Sequence, residues 1–108
     1  MKGDRLGEFE EFTLLAIRAL DGDAYCVPVQ EYLEHTTGRA VSMGAVYAAL
    51  DRLERKGFLR SNFGDPTPER GGKRKRIFTV TTSGVRALRE LRGVRDHMWR
   101  AIDGRSRS

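Results

Sequence analysis

Two short stretches concentrate the side chains that could do chemistry. One is the run Lys73, Arg74, Lys75 and Arg76, four consecutive cations. Adjacent like charges repel one another and gain most beside a polyanion, so this run suits the neutralisation of phosphates better than it suits a solvated loop. The other is Ser42, Met43, Gly44 and Ala45, small or slender residues with Tyr47 one turn beyond them. A helix that begins this way can enter a DNA major groove about 12 Å wide and carry side chains to base edges. Tyr47 can touch a phosphate or a base there, or pack over the domain edge. Its place on the polar side of its helix favours contact with nucleic acid.

Other chemistries find less support. Gly72-Lys73 matches the end of a phosphate-binding loop, but the earlier glycine position holds Thr67 and the hydroxyl position holds Arg74. There is no G-x-S-x-G, no HExxH and no Cys–His pair with an evident orienting group. His35 and His97 lack a second ligand at metal spacing, and Glu31 with His35 is one pair rather than a site. No catalytic residue, metal or cofactor is expected. Cys26 has no basic neighbour in sequence to lower its pKa, so it reads as a small buried hydrophobe rather than a redox switch.

The rest of the chain must position those stretches. At 108 residues it is most simply one domain, 39% hydrophobic and 32% charged, with a core small enough that self-association would be a natural supplement. Charge is unevenly spread. Residues 1–50 carry four basic and eight acidic groups, a net of −4, whereas residues 51–108 carry sixteen and seven, a net of +9. A basic second half favours an anionic partner, with nucleic acid ahead of an acidic membrane. A single cysteine permits no internal disulfide, and neither a signal peptide nor an apolar stretch of membrane-spanning length is evident, so a cytoplasmic setting is expected.

Apolar periodicity predicts a helix over Glu8 to Leu20, with Phe9, Phe12, Ala16 and Leu20 on one face, broken by Asp21-Gly22-Asp23. A second helix is predicted from about Val27 to Thr37, with Val29, Tyr32 and Leu33 inward and Gly38 ending it. The third is the most legible: Ser42 as N-cap, Met43 to Lys56 as the body, Val46, Leu50 and Leu53 as the core face, Gly57 at the left-handed end. Phe58 to Phe63 and Arg76 to Thr81 read as two strands, and the twelve residues between them are too many for a tight turn. Thr81 can cap a final helix running to about Asp103. Its stripe of Leu88, Leu91, Val94, Met98 and Ile102, with Trp99 beside it, outruns what a three-helix core can cover, which favours a partner helix. The fold class is mainly α with a small β-hairpin, the plan of a winged helix-turn-helix. Residues 1–81 would form the DNA-binding domain, 82–103 a dimerisation helix and 104–108 a flexible tail.

With those elements in order, the chain resembles the PadR family of transcriptional regulators in its short form. GEFEEFTLLAIRAL (Gly7 to Leu20), GDAYCVPVQEYLEHTTGRAVSMGAVYAALDRLERKGFL (Gly22 to Leu59) and FGDPTPERGGKRKRIFTVTTSGVRAL (Phe63 to Leu88) carry the likeness. One departure is Cys26, where the family pattern carries glycine. The resemblance implies a homodimeric repressor on an inverted-repeat operator, answering a small aromatic effector, with no membrane partner and a place on the nucleoid. The DNA-contacting set is then Arg39, Ser42, Met43, Gly44, Tyr47, Lys73, Arg74, Lys75 and Arg76. The dimer interface is Phe9, Phe12, Leu88, Leu91, Val94, Met98, Trp99 and Ile102, and Trp99 would also flank an effector cleft. A winged fold used for protein contacts without DNA is the alternative; the acidic first half allows it and the cationic run opposes it.

Overall fold

The computed structural model describes residues 5–64 and 74–106. Helix α1 (Glu8–Leu20) starts at Gly7, whose N–H donates to the Glu10 carboxylate at 2.8 Å. It stops where Asp21 turns left-handed (φ 41°) and Gly22 follows at φ 100°. Helix α2 (Cys26–Thr37) begins one residue before the predicted Val27 and closes at Gly38, φ 70°. Asp21 is the one non-glycine residue with positive φ among those described. Cys26 therefore sits in ordinary backbone, and its Cβ needs no strained turn.

Helix α3 (Met43–Arg55) is capped as its sequence suggests: the Ser42 hydroxyl accepts the Ala45 N–H at 3.1 Å. Its end is a Schellman motif. Gly57, at φ 80°, donates to the Glu54 carbonyl at 3.0 Å, and Phe58 donates to the Leu53 carbonyl at 2.9 Å. That bond takes Phe58 out of the predicted strand, so β1 is Leu59–Phe63. It pairs antiparallel with β2 (Arg76–Val80), placing Leu59 opposite Val80 and Ser61 opposite Phe78. Thr81 likewise leaves the strand to cap the last helix, accepting the Gly84 N–H at 3.1 Å and donating to the Gly57 carbonyl at 2.7 Å.

Leu14, Ile17, Val29, Leu33, Val46, Leu50, Leu53, Leu59 and Phe78 form the core, joined at its edges by Phe58 and Val80. One inward expectation needs correcting. Tyr32 is 37% exposed, because the groove between α1 and α2, also lined by the exposed Leu15, stays open over it. Helix α4 (Thr82–Ser106) is 25 residues long and runs past the predicted end at Asp103, so Gly104 and Arg105 are helical rather than a loose tail. Gly104 alone weakens a helix by only about 1 kcal/mol, and Arg105 near the C-terminus suits the macrodipole. Val85, Ala87 and Leu88 pack on the core, while the distal half of α4 projects from the body.

Candidate nucleic-acid interface

The N-terminal end of α3 is open. Ser42, Gly44 and Tyr47 are exposed, whereas Met43 is half-buried and packs against the core. Tyr47 faces outward at 56% exposure. The neighbouring Cys26 thiol at the start of α2 raises the Tyr47 pKa above its ordinary value. Burial pushes the Cys26 thiol up, and the Tyr47 hydroxyl and the Arg76 charge pull it down without overcoming that. The thiol is therefore protonated near neutral pH, and Cys26 is half-buried at the edge of the core rather than within it.

The residues that lead into β2 are tied to α3 and to the start of α2. Lys75 sits with its ammonium 4.2 Å from the centroid of Tyr25 and donates to that hydroxyl at 3.2 Å. Arg76 is held by Glu54 of α3, donates to Ser61 at 3.2 Å and covers the Phe78 ring at 5.0 Å. Arg74 donates to the Gly64 carbonyl at 3.0 Å and lies 5.9 Å from the Phe63 centroid. The cationic run is thus braced on aromatic rings and on α3 itself. Lys73 lies outside the described residues.

Arg39 is placed differently, with its guanidinium 3.7 Å from Glu8 and beside the α1–α2 groove lined by Phe12, Leu15 and Tyr32. Sequence reasoning missed Tyr25, Glu54 and Glu10. Tyr25 reads as a residue before a helix, and nothing in its neighbourhood announces a partner 50 positions away. Glu54 and Glu10 look like solvated helix charges until tertiary packing brings cations to them.

The stripe on α4 divides in two. Leu88 and Leu91 are half-buried, as are Phe9 and Phe12 on α1, whereas Val94, Met98, Trp99 and Ile102 are 52–62% exposed. Trp99 borders a groove of about 470 Å³ with Leu15, Val85, Leu88, Arg92 and Arg95. Among the described residues no group of three His, Cys, Asp or Glu could hold a metal, and no helix is long and apolar enough to cross a membrane.

Comparison with known proteins agrees with this architecture. The family model described as the transcriptional regulator PadR-like family matches residues 14–90. A transcriptional regulator from Clostridium thermocellum superposes with a TM-score of 0.68 at 18% identity, covering 88% of this chain and 86% of its own. A PadR family transcriptional regulator from Eggerthella lenta gives 0.66 at 22% identity, over 86% and 78% of the two chains. A PadR family transcription regulator from Clostridium difficile gives 0.60 at 21% identity, over 91% and 93%. No curated protein matches significantly.

Proposed function

The chain belongs to the PadR-like family of transcriptional regulators, and on that premise we propose that it is a homodimeric repressor gripping an inverted-repeat operator. The observation that carries this reading is the tie between β2 and α3. Arg76 is held by Glu54 near the C-terminal end of the helix whose capped, slender start carries the outward Tyr47, and Lys75 is braced on Tyr25 just before α2. Small residues at the helix start allow deep entry into the groove, and cations alongside supply phosphate contacts that give affinity without reading bases. The exposed half of α4 offers the apolar surface on which two chains join, so that two reading helices lie about one turn of DNA apart. The protein would work in the cytoplasm, on the nucleoid. A planar aromatic effector would sit in the groove beside Trp99 and release the operator by favouring a different spacing of the two helices.

Selection of duplexes from a randomised pool by the wild-type protein, followed by titration at several salt concentrations, tests the proposal. A selected inverted repeat should outcompete random-sequence carrier, and replacing Arg74 and Lys75 together by Ala should lower the salt slope by up to about two. Repeating the titration with a panel of phenolic compounds should find one whose release of the duplex tracks quenching of Trp99. Failure to select any sequence sinks the reading, and an unchanged slope removes the hairpin from it.

A further inference from the structure

Two neighbouring carboxylates in the first turn of α1 reach in different directions. Glu10 and Glu11 are only 6% and 7% exposed, although acidic residues at a helix start ordinarily point into water. Glu10 reaches α3. Its two oxygens accept from Lys56 Nζ at 2.9 and 3.0 Å, one of them also lies 3.4 Å from Arg52 Nε, and Lys56 donates further to the Arg5 carbonyl at 2.7 Å. Glu11 reaches α4, accepting from Arg95 Nη2 at 2.8 Å. Helix α1 packs against both α3 and α4, and these carboxylates are its charged ties to each. The carboxylate of each tie is shielded from water while its cation is less so, Lys56 at 19% and Arg95 at 51% side-chain exposure, and parting either tie leaves a buried carboxylate uncompensated.

We propose that Glu10 and Glu11 are positioning residues that hold the reading helix at one angle to the long helix, and so set the half-site spacing the dimer accepts. The proposal rests on the dimeric, inverted-repeat reading above. One base pair inserted between half-sites turns the second by about 34° and shifts it about 3.4 Å, which a rigid pair of reading helices cannot follow. A chain whose α1 ties are loosened can follow it.

Three probes test this: the duplex selected by the wild type, the same duplex with one base pair inserted between half-sites, and a duplex with a single half-site. The wild type should bind the inserted duplex about tenfold or more weakly than the parent. Glu10→Gln, Glu11→Gln and Arg95→Met should each shrink that penalty to about threefold or less, with single half-site affinity unchanged. A merely stabilising role would lower the melting temperature of the variants and leave the spacing penalty alone. If a glutamine variant does not fold, Arg95→Met and Lys56→Met decide the matter, because they remove the more exposed partner of each tie. An inverted repeat selected by the wild type, with the same penalty in every folded variant, overturns this inference alone. No selected repeat at all overturns the functional reading and this inference with it.

Discussion

Glu10 keeps its charge in surroundings that would ordinarily remove it. Burial raises its pKa, but the Gly7 N–H, Lys56 and Arg52 together outweigh burial and hold the carboxyl below its ordinary value of 4.5. The folded chain therefore binds this proton less readily than the unfolded chain does, and acid favours unfolding. The stabilisation is present above pH 4.5 and is lost as pH falls through the lower folded value. Urea midpoints measured from pH 6 downward should drop across that window, and Glu10→Gln should flatten the drop; parallel curves for the two proteins would refute it. At this scale the residue types at the N-terminal end of α3 were legible, because an N-cap serine and an outward tyrosine declare themselves by spacing. The partners of charged residues were not. Arg52 lies 42 positions from Glu10 and Arg95 lies 84 from Glu11, and no local pattern connects them.

Helix α4 starts hard against the hairpin, and one glycine permits it. A Cβ on Gly84 would stand 2.4 Å from the Phe58 carbonyl oxygen and 2.7 Å from Val80 Cγ1, so the first turn of α4 could not keep its place. Gly93, in the middle of the same helix, has open space around its position. Opposite outcomes are expected. Gly84→Ala should destabilise by about 1–3 kcal/mol through overpacking, whereas Gly93→Ala should stabilise by up to about 1 kcal/mol through helix propensity. Denaturant midpoints for the two variants check the contrast, and equal shifts would refute it. In sequence the two glycines look alike, each a weak point in an amphipathic run. Helix boundaries were legible to within about a residue for α1 to α3, since capping and left-handed glycines are local devices. Both strands came out one residue shorter than predicted because Phe58 and Thr81 serve helix ends.

At the scale of the whole molecule, α4 makes the chain elongated, with extents of 63 × 31 × 22 Å. Val94, Met98, Trp99 and Ile102 line a surface that one chain leaves in water. Replacing Met98 and Ile102 together by Asp should convert a dimer to a monomer in sedimentation while the helical circular-dichroism signal is retained. A wild type already monomeric at micromolar concentration would refute the dimer. The amino-acid sequence by itself determined the order of elements, the capped start of α3, the apolar face beneath it and the family, because all of these depend on neighbours within a turn or two. Tertiary structure alone decided which partner each cation takes: Arg52 and Lys56 turn to Glu10, Arg76 to Glu54, and Lys75 lies over Tyr25. Charge acts through space, and only the folded chain says which opposite charge is within 4 Å.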